Sequence, residues 1–500
     1  MKKTIWKKVI DLGVFALVLV LGFLYLNKVF GFQDNTHSRA AFKQFYEMPE
    51  NVADVAWIGS SAVQEYIIPM QMYEEYGVTL LPLALGSMPF DATELLIKEV
   101  EKTQDPSLYL VDLRDLAFEP LADPGIRRVT DNMKLSKNRF DLIDKLTNDW
   151  QALHPVGNLD RFDYYFSFMK YHSRWQDLQK TDFTDDENCF MGYWISTGTE
   201  SFDKKQIMSY FDTEEKPIPE ENVVFLNEFL DFCDGFGKKV VFTCTPNCLD
   251  EEYFAQFNFA KRIIRERGYE VWDMNDHVDE IGLDYATDFR GKLHVNTLGA
   301  EKVTHYVAQQ LVEKYNLKDH RGEEKCRVYE RYAELYHRKR NEAYLSLETD
   351  LDKYLDYLLE LSDGTTIYMT TFGPQGAYLT DAHIEKLRKL GLVQAGGLKG
   401  EDYHSYLAIV SDGEVLHETI GVDNADSTYA TYIGNTKVSM SSASWKGRYG
   451  CSIRLGVSER SLGENGINIV VVDKESGEVL DSVAFDTADP AVSCTRSGNN

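Results

Sequence analysis

The apolar run Val55-Ala56-Trp57-Ile58 ends in Gly59-Ser60-Ser61, and a second run, Leu80 to Leu85, ends in Gly86-Ser87. A serine directly after the first strand of a parallel sheet stands at the sheet's functional edge. Its backbone N–H opens a helix, where partial positive charge can hold an oxyanion, and the Gly86 N–H can converge on the same place. Far downstream comes Thr287-Asp288-Phe289-Arg290-Gly291-Lys292-Leu293-His294, then Val295-Asn296 and a helical pattern from Thr297. A serine, a histidine and an acid brought to one edge make a nucleophile, a base and its orienter. A third strand ends in Asp112-Leu113-Arg114, two charges that either serve the same edge or pair with each other. Taken alone, a Gly-Ser-Ser turn is a strand end with capping serines. His172 and His277 read as surface or core-edge residues.

The elements that must position these residues alternate. Strands are expected at 55–59, 78–85, 107–114, 238–246 and 269–274, and helices at 91–102, 227–237, 257–268 and 297–315. Such alternation predicts an α/β domain built on a parallel sheet with helices on both faces. Residues 120–225, rich in aromatic and charged side chains, form an insertion of the size that covers a site. Residues 319–348 read as a charged connecting helix. From 349 to 490 the texture changes to β-branched strands and turn dipeptides such as Asp412-Gly413, which predicts a smaller α+β domain.

The chain has 500 residues and a formal charge of -27, which argues against nucleic acid as a partner. Its seven cysteines show no repeating spacing, so no disulfide framework is implied. Cys244 and Cys248 in CTPNC lack the second half of a zinc site and read as structural thiols, and no metal is expected. Lys2, Lys3, Lys7 and Lys8 precede an apolar run from Val9 to Leu26 that only Asp11 interrupts. That run nearly crosses a ~30 Å hydrocarbon core. No A-x-A-like site follows it, so an uncleaved anchor over 1–32 is expected, then a polar stalk over 33–52. The lysines place the N-terminus in the cytoplasm and the remainder outside the cell membrane.

ValAlaTrpIleGlySerSer, LeuAlaLeuGlySer and AspPheArgGlyLysLeuHisValAsn, in that order and strand context, resemble the sequence blocks of the SGNH (GDSL-type) hydrolases. Within that superfamily, residues 53–318 look like the membrane-anchored SGNH-like proteins of Gram-positive bacteria, which include the D-alanyl transfer protein of teichoic acid systems. The resemblance implies a flavodoxin-like fold with Ser61 as nucleophile and His294 as base. It also implies an oxyanion hole from the backbone of Ser61 and Gly86, and it often brings a membrane-bound O-acyltransferase as partner. Two positions depart from the pattern. Gly291 stands where the acid usually lies, which leaves Asp288 as the substitute. Asp112-Leu113-Arg114 stands where an asparagine donor is usual, which leaves Arg114.

Two segments of the C-terminal domain, from Leu361 and from Glu464, resemble the interleukin-like EMT-inducer (ILEI) domain with its halves in reversed order. Some relatives of that domain bind glycans, and Tyr403, Tyr406, Tyr429, Tyr432 and Trp445 are the aromatic side chains that can stack on sugar rings. The combined expectation is a membrane-anchored esterase or acyltransferase that removes or transfers an O-acetyl or similar acyl group on a cell-surface polysaccharide, without a cofactor. The alternative is a non-catalytic, glycan-binding surface scaffold with a degenerate SGNH site.

Overall fold

Five short runs rich in Val, Ile, Leu and Phe are apolar on both faces, as strands of a covered parallel sheet must be. They form β1 (Val55–Gly59), β2 (Leu80–Ala84), β3 (Leu108–Asp112), β4 (Lys239–Cys244) and β5 (Glu270–Asp273), all parallel, in the order β2-β1-β3-β4-β5. Every residue of β1, β2 and β3 is buried. The register sets Gly59 beside Ala84 and Asp112 beside Thr243, so the strands finish level with one another. The strand order reverses between β1 and β3, and a crevice opens beyond such a switch point. Ser61 leaves β1 and Arg114 leaves β3, so topology alone brings both to that crevice.

The computed structural model describes every residue except Met1, 33–35, 156–158, 401–403, 422–424, 444–449 and 498–500. The chain divides into two compact units, Met1–Leu335 and Tyr336–Asn500, with the division inside the helix Arg327–Leu345.

In the first unit the N-terminal helix runs over Lys2–Val29. Its segment Trp6–Val29, with mean hydropathy 2.5, is the one helix among the described residues long and apolar enough to cross a membrane. The end of this helix meets the insertion: Phe23 packs edge-on against Phe166 at 5.3 Å, and Asn27 Oδ1 accepts from the Phe168 N–H at 2.9 Å. Residues 36–47 are not a polar stalk. They form a helix whose Ala40, Ala41, Phe42 and Phe45 are buried, because these apolar residues recur on one helical face and find a partner surface. The insertion holds helices at Asp123–Thr130 and Lys137–Leu153 and a ribbon of Cys189–Phe190 with Tyr193–Trp194.

The second unit has three layers. Its central sheet is antiparallel, with Thr365–Phe372 between Tyr406–Ser411 and Gly466–Asp473, and six strands in all. Helices Leu351–Glu360 and Asp381–Lys389 cover one face, Tyr354, Leu355 and Leu387 packing on sheet residues such as Phe485. A four-stranded sheet covers the other through Tyr368, Leu407, Val438 and Met440. Two of the expected sugar-stacking aromatics are therefore not free. Tyr406 is buried with its hydroxyl donating to Glu418 at 2.8 Å, and Tyr429 lies flat on His417 at 3.6 Å. Tyr432 is exposed. Tyr403 and Trp445 lie outside the described residues.

Candidate active site

The serine is set by a tight strand-to-helix turn. Ser60 has extended backbone and caps the short helix Ser61–Gln64, its Oγ accepting from the Ala62 N–H. A Cβ at Gly59 would come within 2.6 Å of Val63 Cγ2 and 3.0 Å of Asp112 Cβ, so only glycine lets this turn close against β3. Ser61 is the first residue past the turn and lines two cavities.

The histidine arrives on a second device. Phe289–Gly291 and His294–Val295 form a small ribbon in which Gly291 is opposite His294. Asn296 locks its base: the side-chain carbonyl accepts from the Gly299 N–H, and the amide donates to Thr287 O at 2.6 Å and Gly198 O at 3.1 Å. At its tip Leu293 O accepts from the Arg114 guanidinium and lies 2.8 Å from the Tyr66 hydroxyl. These contacts carry His294 to the end of β1.

There Ser61 Oγ lies 2.8 Å from His294 Nε2 and 2.9 Å from Arg114 Nη2. A guanidinium only donates, so Ser61 Oγ accepts from Arg114 and keeps its single proton available for His294. With that proton directed at the ring, Nε2 is the bare nitrogen of a neutral imidazole. The surroundings favour that state: burial first, then the Arg114 and Arg290 cations, push the His294 pKa down to about 2. Asp112 does not form a side-chain pair with Arg114. Its Oδ1 accepts the Arg114 backbone N–H at 2.9 Å, and burial raises its pKa to about 7 against the pull of that cation.

Asp288 is not brought to His294. Its Oδ2 takes Lys302 Nζ at 2.6 Å and the Asp284 N–H at 2.7 Å, and its Oδ1 accepts from the Thr287 hydroxyl. The carboxylate is committed to anchoring the start of the ribbon against the following helix. The nearest acid is Glu65, one helical turn after Ser61 and 96% covered. Its Oε1 stands 3.7 Å from His294 Nε2, beyond hydrogen-bond range, and Arg290 Nε holds its Oε2 at 2.6 Å. Burial raises the Glu65 pKa while Arg290 draws it down. Among the described residues nothing accepts from His294 Nδ1. A different carboxylate faces the vacant acid position: Glu200 Oε2, from the insertion, lies 3.8 Å from where a Cβ on Gly291 would be.

Of the two oxyanion candidates on the backbone, the Gly86 carbonyl accepts from Arg128 Nη1 at 2.9 Å. The N–H groups of Ser61 and Gly86 donate to nothing among the described residues. Sequence reasoning missed Glu65, Arg290, Gln64, His37 and Trp194, which border the site. The spacing of Ser61 and Glu65, four residues on a helix, was a readable signal for one of them. His172 is exposed, and His277 sits against Glu280 and Tyr306, away from the serine. Cys244 and Cys248 are buried free thiols.

No protein-family model matches the chain, and a comparison with curated proteins finds no match.

Proposed function

We propose that the chain is a membrane-anchored serine esterase or acyltransferase that acts on acyl esters of cell-surface glycans. The observation that carries this reading is the 2.8 Å contact between Ser61 Oγ and a neutral His294, at the switch point of a parallel sheet. In the first step Ser61 Oγ bonds to the ester carbonyl carbon and its proton passes to His294 Nε2. Collapse breaks the bond to the leaving alcohol, which takes that proton back, and an acyl-serine remains. In the second step water or an acceptor hydroxyl attacks the acyl carbon, gives its proton to His294, and Ser61 Oγ departs and recovers it. The unclaimed N–H groups of Ser61 and Gly86, with Arg114 in the place of an asparagine donor, would hold the oxyanion. No step requires a metal or organic cofactor.

The glycan substrate and a membrane-bound O-acyltransferase partner follow from the resemblance to membrane-anchored SGNH-like proteins. The 24-residue apolar helix supports a single-pass anchor with the N-terminus in the cytoplasm and both units outside. The C-terminal unit, which resembles an ILEI domain, would add a glycan contact, with Tyr432 as its exposed aromatic.

One observation favours a second reading, a glycan-binding scaffold without catalysis. Arg114 and Arg290 oppose the imidazolium that both steps form, and no carboxylate meets His294 Nδ1 to offset them. A fluorophosphonate probe separates the two. Attachment at Ser61, lost in His294→Ala, is expected of the enzyme. A folded protein that leaves the probe unreacted is the scaffold.

A further inference from the structure

Two cavities meet at Ser61, both of mixed lining, and the second is the more apolar and more aromatic of the two. One, of about 350 Å³, is bordered by His37, Gln64, Glu65, Arg128, Trp194 and His294. The Gln64 Oε1 there is buried and has no hydrogen-bond partner among the described residues. The other, of about 320 Å³, begins at Ser61 and Arg114 and runs between Met88, Phe90, Phe118, Leu121 and Phe225. Its polar borders are partly occupied with one another, with Asp91 Oδ2 left without a hydrogen-bond partner among the described residues. The Asn222 amide donates to Leu116 O and Phe118 O, Asp91 is paired with Lys145, and Asp115 is bonded to Ser60. What this lobe offers a ligand is mainly aromatic and aliphatic surface. At about 30 Å³ for a water-sized group, it has room for roughly ten of them, where an acetyl group presents one methyl.

We infer that the apolar lobe receives an unbranched acyl chain of medium length, about six to ten carbons, while the polar lobe receives the hydroxyl-bearing acceptor. The inference rests on the serine-ester reading given above and narrows its acyl group. During transfer the chain stays in the apolar lobe. The bond from its carbonyl carbon to the donor alcohol is replaced by one to Ser61, and that in turn by one to the acceptor oxygen, the proton passing through His294 each time. The Gln64 acceptor and the Trp194 ring suit a sugar in the polar lobe, since buried acceptors reward hydroxyl donors and aromatic faces stack on sugar rings.

The test uses the full chain in detergent with 4-nitrophenyl esters from two to twelve carbons. Burial of each added methylene is expected to raise kcat/KM by about fourfold until the lobe is full. Phe118→Trp, which narrows the lobe, is expected to move the optimum at least two carbons shorter, and Ala122→Trp, at the exposed lip, to do so without disturbing the fold. A flat series, or one that peaks at acetyl in a protein whose Ser61 reacts with fluorophosphonate, overturns the inference. A second readout does not depend on catalysis: calorimetric titration of Ser61→Ala with decanoate. Binding that Phe118→Trp weakens by tenfold or more supports the lobe assignment even if Ser61 proves unreactive, which would sink only the esterase reading. Absence of decanoate binding overturns the lobe assignment.

Discussion

The edge of the parallel sheet and the core of the C-terminal unit bury polar groups in opposite ways. In the C-terminal unit the buried hydroxyls of the central sheet are paired off, although Gln375 Oε1 is left without a donor among the described residues. Thr366 meets Ser411 at 2.9 Å, Ser405 meets Ser427 at 2.8 Å, and Tyr354 donates to Asp481, which also faces Arg496. Around Ser61 the pairing is incomplete. Among the described residues the half-buried N–H groups of Ser61 and Gly86 have no acceptor, buried Gln64 Oε1 has no donor, and two guanidiniums press on an imidazole whose Nδ1 meets no acid. Leaving buried polar groups short of partners costs stability, and at the Ser61 edge several such groups border one cavity, which is the arrangement the proposed ligand would complete.

Ser61→Ala and His294→Ala should test that contrast most severely. Each is expected to lower kcat by at least ~10³-fold, because nucleophile and base act as one unit. Ser442→Ala in the C-terminal unit removes a more deeply buried hydroxyl, yet should leave ester hydrolysis unchanged and cost about 1 kcal/mol in denaturant unfolding. Equal losses of activity in all three would erase the distinction.

Arg114→Met should lower kcat by roughly 10²-fold if the guanidinium stabilises the oxyanion. Arg114→Lys should recover part of it, since a positive donor returns without the fork that also reaches Leu293 O. A loss confined to thermal stability would make Arg114 a strut for the ribbon and nothing more.

Gly291→Asp places an acid opposite His294 and is expected to raise kcat about 10-fold if the imidazole's orientation is limiting. Glu200 stands beside that position, so the gain should be larger in Gly291→Asp combined with Glu200→Gln, which removes a like charge. A single substitution that outperforms the pair would refute this account of the vacancy.

The pH profile gives a smaller effect. The base form of His294 is the neutral one, and its pKa is lowered, so it stays competent as pH falls through the usual histidine range. Between pH 8 and 5, kcat/KM should change less than about threefold. An acid limb near pH 6.5 would mean that the surrounding cations do not act on the ring as described. Asp288→Asn should have the least effect on catalysis, under about threefold in kcat, and should cost about 1 kcal/mol through the weakened hold on the Asp284 N–H and Lys302.

Much of this was legible because the signals were local. Alternation of apolar strands and amphipathic helices gave the five-stranded sheet, and the ends of two strands gave Ser61 and Arg114. The acid was not legible. Asp288 is engaged by Lys302, fourteen residues on, across a ribbon and a helix start whose geometry no spacing announces. Tyr406 misled for another reason. Its strand is buried on both faces, and the period of two tells inside from outside only where one face meets water. Residues 36–47 look polar on average, and only their periodicity reveals the buried Phe42 and Phe45.

The helix Thr36–Glu47 also acts as a measure of distance. His37 borders the cavity at Ser61, and it follows the end of the apolar helix, Val29, by eight residues. Fully extended, eight residues reach at most about 29 Å. With the apolar helix in a bilayer as proposed, the tether fixes a ceiling on the altitude of the reaction above the lipid surface. The protein would work as a short-armed tool, serving donors that remain rooted in the membrane and the innermost stretch of any polymer. Because Phe23 and Asn27 also hold the helix end against the insertion, a flexible insertion at residue 33 should detach the chemistry from that layer only when combined with Phe23→Ala and Asn27→Ala, the pocket itself staying whole.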